Sequence, residues 1–218
     1  MERKDAVVFG LGRFGWSVAL QLELKGCRVM AVDIDEKKVN RISEYVTLAM
    51  CVDVTNEDAM QELGINHFDL AIIAIGHNTE ASILTTIWAK DHGVKQVVSK
   101  AFNDIQGRIL MKVGADDIIF PEKEMGKRIA NNLTFNNIVD AIELTEGYSI
   151  ADITVPASWV GKNLMELKLR DKYRINVIAI KRDKEVIMNP SAKDPISDND
   201  VFVILGANNM IKKLSLHA

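Results

Sequence analysis

A short apolar run, Ala6–Phe9, passes directly into Gly10-Leu11-Gly12-Arg13-Phe14-Gly15, a G-x-G-x-x-G turn between a strand and a helix. The spacing has mechanical content. The first glycine permits a tight turn, the second lets a pyrophosphate approach the backbone, and the third lets helix pack on strand. The helix that follows, expected over Trp16–Lys25, aims its free N–H groups and positive dipole end at the anion. Gly26 closes that helix, and Arg28–Asp33 reads as a second strand ending in a carboxylate. Counted from Gly10, Asp33 falls close to the ~20-residue spacing of an acid that binds ribose hydroxyls. The hexapeptide alone is weak evidence, but strand, helix and acid together imply an adenine nucleotide or dinucleotide.

The same alternation continues to about residue 120. Apolar runs at Leu48–Val52, Leu70–Ile75, Gln96–Ser99 and Asp117–Phe120 are separated by helical stretches near Glu36–Glu44, Glu57–Leu63, Ala81–Asp91 and Gln106–Lys112. Continuous rather than alternating apolar strands imply a parallel sheet covered on both faces, and βα alternation implies an α/β, doubly wound Rossmann sheet. Pro121 then opens a helix with Glu122 and Glu124 in its first turn and an apolar stripe of Met125, Ile129 and Leu133. That stripe needs a partner surface, either the domain's own flank or the same helix of a second copy. The last ~75 residues read as a small α+β unit. Its strands are expected at Ile142–Leu144, Ile150–Val155, Asn176–Lys181, Glu185–Met188 and Val201–Leu205, with helices at Leu164–Asp171 and Asn208–Leu214. The expected division is 1–139 and 140–218.

Composition excludes several roles. The 218 residues carry 27 basic and 30 acidic side chains, and neither half forms the basic footprint of a nucleic-acid-binding surface. Met1 to Asp5 is charged and unlike a signal peptide, and the longest apolar stretch is far short of the ~20 residues of a membrane span. Cys27 and Cys51 show neither metal spacing nor a disulfide framework and read as small, buried, reduced residues. The histidines are scattered. No nucleophile–base–acid order suggests a reaction.

Around the first loop the candidate nucleotide residues are Gly10, Gly12, Arg13, Phe14, Gly15 and Asp33. Asp35 reads mainly as the cap of the helix at Glu36 and is counted beside them. Asp53, Val54 and Thr55 lie where an adenine edge would rest, although Thr55 also suits a helix cap. Ile75, Gly76 and Asn78 follow the fourth strand, and loops after strands one and four flank the ligand crevice of such a sheet. Arg13 is either a solvated arginine or the partner of a phosphate bound in a neighbouring copy. Glu122 is either a helix-start acid or something more.

GLGRFG at 10–15, VDIDEKKV at 32–39, AIGHNTEAS at 74–82, GADDIIFPEKEMG at 114–126 and LRDKYRINVIAI at 169–180 together resemble the RCK (TrkA/KtrA-type) regulatory subunits of bacterial potassium uptake systems. The resemblance spans essentially the whole chain. It implies a Rossmann domain that binds ATP, ADP or NAD(H), with Asp33 suited to either ribose, and a crossover helix that builds a homodimer. Four dimers would form an octameric ring docked on the cytoplasmic face of a membrane potassium-translocating subunit, with no insertion of its own. Arg13 would reach the γ-phosphate held by the adjacent subunit, and Glu122 would help bind a divalent cation, Mg or Ca. The resemblance also implies a cyclic di-AMP site formed by Leu169, Arg170, Asn176, Val177 and Pro190. Arg174 departs from it, standing where the family often has glycine and adding bulk and charge beside that pocket. Two other readings compete: an NAD(P)-dependent oxidoreductase, and an RCK regulator of another channel or exchanger.

Overall fold

In the strand β1 (Asp5–Phe9), Val7 and Phe9 enter one apolar cluster while Ala6 and Val8 enter another, and all four are fully buried. A strand that must bury both faces can only be central, and this is why its apolar run is continuous. The computed structural model describes residues 3–134 and 137–217; Met1 and Glu2 of the charged start lie outside them. After β1 come α1 (Arg13–Leu24), β2 (Arg28–Asp33), α2 (Glu36–Ile42), β3 (Leu48–Cys51), α3 (Glu57–Glu62), β4 (Leu70–Ile73), α4 (Thr79–Asp91), β5 (Gln96–Lys100), α5 (Asp104–Lys112) and β6 (Asp117–Ile119). The six strands are parallel in the order β3-β2-β1-β4-β5-β6. One face packs against Ala19, Val39 and Ile42 of α1 and α2, the other against Met60 of α3 and Ala89 of α4. This is the doubly wound α/β sheet that the alternation implies, with its order reversing between β1 and β4.

Three local expectations are corrected. Helix α1 begins at Arg13 rather than Trp16, so the second half of the glycine motif is already its first turn. The cap of α3 is Asn56, whose side chain accepts from the Ala59 N–H, and not Thr55. Cys51 is exposed and Cys27 only half-buried, because β3 is an edge strand and Cys27 precedes β2.

Helix α6 (Pro121–Thr134) starts in the first compact unit, which ends at Lys123, and runs into the second, which begins at Glu124. The second unit contains β7 (Ile138–Thr145), β8 (Tyr148–Thr154), α7 (Leu164–Leu167), α8 (Leu169–Tyr173), β9 (Asn176–Arg182), β10 (Glu185–Met188), β11 (Val201–Ala207) and α9 (Asn208–His217). Its sheet is antiparallel, in the order β10-β9-β11-β8-β7. Strand β8 alternates buried and partly exposed residues, the signature of a sheet with one covered face. Phe202, Ile204, Ile153, Ile180 and Leu214 form its core. The single helix expected over Leu164–Asp171 is two short ones, broken where Lys168 takes a left-handed conformation (φ 50°).

Candidate nucleotide-binding site

The glycine loop joins the end of β1 to α1, and each glycine meets a different constraint. Gly10 has φ 93°, and a Cβ there would lie 3.0 Å from the Ala74 backbone carbon. A Cβ on Gly15 would fall 1.9 Å from the Gly10 carbonyl oxygen. These two positions seat the loop against the end of β4. Gly12 is different: a Cβ there would meet nothing within 4 Å, so this glycine keeps an approach clear rather than relieving a clash. Gly12 is also the N-cap of α1 and supplies no side-chain acceptor to the first turn. Free N–H groups at an unobstructed helix start are what a pyrophosphate requires. Arg13, the first helical residue, is exposed and makes no hydrogen bond or ion pair among the described residues.

Asp33 closes the other side. Its carboxylate is buried and accepts the Leu11 N–H at 2.6 Å and the Asp35 N–H at 2.9 Å. It thereby ties the glycine loop to the end of β2. Lys38 Nζ stands 3.3 Å away on a half-exposed side chain. A carboxylate has about four acceptor sites, so Asp33 can still take a ribose hydroxyl. Asp35 caps α2 by accepting the Lys37 N–H, and Asn78 caps α4 by accepting the Ala81 N–H. The Oδ1 of each is thus occupied locally. Asp53 accepts from the Thr55 hydroxyl and N–H, which together hold its carboxyl below the ordinary aspartate value. Val54 and Ile75 are half-buried against the cluster beneath the crevice, and Gly76 follows β4 beside it.

Sequence reasoning missed Lys100. It ends β5, and its side chain is only 13% exposed. Its Nζ lies 5.9 Å from the centre of the Phe14 ring and 3.9 Å from where a Gly76 Cβ would be. It donates to Glu122 Oε1 at 2.5 Å. That hydrogen bond holds the Glu122 carboxyl below its ordinary value. The only available signal was position: a strand-end lysine on the carboxyl side of a parallel sheet faces the crevice.

The TrkA-N domain family matches residues 6–121 and the TrkA-C domain family residues 149–216. The chain is 44% identical over 205 residues to Ktr system potassium uptake protein C of Bacillus subtilis, covering 94% of this chain and 93% of that one. It is 38% identical over 213 residues to Ktr system potassium uptake protein A of the same organism, covering 98% and 96%. The chain belongs to the RCK (TrkA/KtrA-type) family. Among solved structures, the GsuK channel bound to NAD shares the fold at a TM-score of 0.55 and 18% identity, covering 99% of this chain and 38% of that one.

In this RCK protein the second-unit candidates are only partly brought together. Arg170 Nε donates to Asn176 Oδ1 at 2.9 Å, and both side chains are exposed. Met188 pairs with Ala179 in antiparallel register, and the Asn189 N–H still donates to the Ile178 carbonyl, but Asn189 is left-handed (φ 51°) and the strand ends before Pro190. Leu169, however, is 4% exposed and belongs to the core. Its side chain serves packing first. Arg174 is left-handed (φ 54°) at the end of α8, a conformation that glycine adopts without strain. For the cation, the described residues contain no group of three or more His, Cys, Asp or Glu side chains able to hold a metal. Glu122 stands as a single carboxylate outside any such group. No helix among the described residues is long and apolar enough to cross a membrane.

Proposed function

We propose that this chain is a nucleotide-responsive regulatory subunit that gates a membrane potassium-translocating partner from its cytoplasmic side. The observation that carries this reading is the clear approach at Gly12. It lies over an uncapped helix start, beside the buried Asp33 carboxylate, in a chain closely similar to potassium uptake proteins. The ligand is ATP or ADP, with NAD(H) served by the same loop and the same ribose acid. The role is regulatory rather than catalytic.

Two copies would pair through α6. Its Met125, Ile129 and Leu133 are all exposed, and a groove of about 730 Å³ runs beside its Glu124, Lys127 and Arg128, lined by Ile138, Ile142 and Ile211 among others. Pairing would bring Arg13 to the terminal phosphate held by the neighbouring copy. It would also bring two Glu122 carboxylates and phosphate oxygens around a Mg or Ca ion, which would neutralise charge between the nucleotides. Four such dimers would form the ring. Cyclic di-AMP would enter at Arg170 and Asn176 once their mutual hydrogen bond opens. A ligand shifts the ring only by its differential affinity for two shapes, typically ~1–3 kcal/mol per site, and several sites sum.

The test is native mass spectrometry and solution scattering of the purified protein with ATP, ADP and NADH. An even-numbered assembly retaining nucleotide, with different ATP and ADP shapes, is expected. Arg13→Ala should remove the difference between those shapes while leaving ADP affinity within about twofold. A monomer indifferent to all three ligands overturns the reading.

A further inference from the structure

We infer that Lys100 is a phosphate-binding residue whose exchange of partners, from Glu122 to the bound nucleotide, couples nucleotide occupancy to the availability of the Glu122 carboxylate. The inference rests on the nucleotide reading above and adds a residue and a coupling to it.

Lys100 is an unusual place for a positive charge. A lysine rarely buries its head without a partner, yet this one is nearly covered and lies between Phe14 of the glycine loop and Gly76 of the loop after β4. Those loops bound the crevice at the point where strand order reverses, so the ammonium is aimed at the region of the phosphates rather than at the ribose. A surface ion pair would not require this burial. Its partner is unequal to it: Glu122 is 69% exposed, on the first turn of α6. An exposed carboxylate compensates a buried ammonium incompletely, because water competes for the carboxylate and not for the lysine. A polyphosphate entering over Gly12 offers Lys100 more negative charge and more acceptor oxygens than one carboxylate. Lys100 then turns to phosphate and Glu122 is released, at the start of the helix that carries the exposed apolar stripe.

Charge follows the same sequence. With the crevice empty, Lys100 and Glu122 neutralise one another. With nucleotide bound, Lys100 neutralises phosphate instead and Glu122 is left an anion without its lysine.

The experiment is calorimetric titration of the full-length protein with ATP and with ADP in EDTA, for the natural sequence, Lys100→Met, Glu122→Gln and the double variant, each checked by thermal unfolding. Lys100→Met should weaken ATP about tenfold or more, in line with loss of one charge-assisted hydrogen bond. Glu122→Gln frees the lysine and should tighten ATP several-fold, and this gain should vanish in the double variant. Equal ATP affinity in the natural protein and Lys100→Met overturns the inference, and a Glu122→Gln gain that persists without Lys100 overturns the exchange. If Lys100→Met does not fold, Glu122→Gln alone decides, and no tightening overturns the inference. If the natural protein binds neither nucleotide, it is the nucleotide reading itself that fails.

Discussion

Each compact unit buries one aspartate of note, and the two are partnered in opposite ways. Asp33 receives backbone N–H groups from Leu11 and Asp35, and its one side-chain partner, Lys38, stands at the limit of hydrogen bonding on a half-exposed stem. Asp200 is fully buried and gripped by both arms of Arg182 at 2.8 Å, with the Ser197 N–H as a third donor. Asp33 lies at the mouth of a crevice and holds loops while keeping capacity for a ligand. Asp200 is closed on itself and pins the segment before β11 to β9, since Arg182 also donates to the Pro195 carbonyl. The bidentate partner makes Asp200 a fastening, whereas the loose partner of Asp33 leaves the capacity that the proposed nucleotide role would need.

The largest effect should come from undoing the fastening. Arg182→Ala leaves a buried carboxylate with a single backbone donor and should cost roughly 3 kcal/mol in urea unfolding. Lys38→Ala, beside Asp33, should cost less than about 1 kcal/mol. The pH dependence sharpens the contrast. Burial alone would raise the Asp200 carboxyl, but the Arg182 guanidinium and the Ser197 N–H together outweigh it and hold it below the ordinary value. A lowered carboxyl contributes stability that is fully present above about pH 4 and lost as pH falls through its folded value. Without Arg182 burial is no longer outweighed, so the natural and variant stability curves should converge in acid. Parallel curves down to pH 3 would show that Asp200 is not the charge at stake.

Next in size is a pair of glycine substitutions within the cradle. Gly15→Ala forces a Cβ into the Gly10 carbonyl oxygen and should destabilise the first unit by roughly 1–3 kcal/mol, as overpacking does. Gly12→Ala meets no neighbour and should change stability by less than about 1 kcal/mol. On the proposed function it should nevertheless weaken adenine-nucleotide binding at least tenfold, about 1.4 kcal/mol, because the methyl would stand where the phosphates would approach. Unfolding curves and titration calorimetry on the same two proteins separate folding from binding. Equal losses of binding and stability in Gly12→Ala would mean that the glycine is structural after all.

These contrasts also explain what could be read from residues alone. The parallel, doubly covered character of the first sheet was legible because burial on both faces writes itself as unbroken apolar runs, as at Val29–Val32 and Leu70–Ile73. The cradle was legible because backbone requirements leave glycines at fixed offsets. Lys100 was not, because its meaning comes from Phe14, Gly76 and Glu122, which only the folded sheet brings around it. The cap of α3 was missed by one residue, since Thr55 and Asn56 are chemically equal candidates and the Asp53 carboxylate draws the threonine hydroxyl away. The break between α7 and α8 left no trace either: Lys168 is an ordinary helix former, and its left-handed backbone is imposed by burial of Leu167 and Leu169 on either side.

The smallest effect concerns Arg174, a second left-handed residue, at the far end of α8. A side chain in this conformation costs roughly 1–2 kcal/mol, offset in part when glycine replaces it by the greater freedom glycine gives the unfolded chain. Arg174→Gly should therefore stabilise the second unit by about 0.5–1 kcal/mol, measurable as a shift in urea midpoint at constant slope. The same substitution removes an exposed positive charge four residues beyond Arg170 without touching the Arg170–Asn176 hydrogen bond. If a dinucleotide with two phosphates binds there, its affinity should fall only modestly with Arg174→Gly and much further with Arg170→Ala. An equal loss in both would show that the site reads summed charge rather than the geometry of one paired arginine.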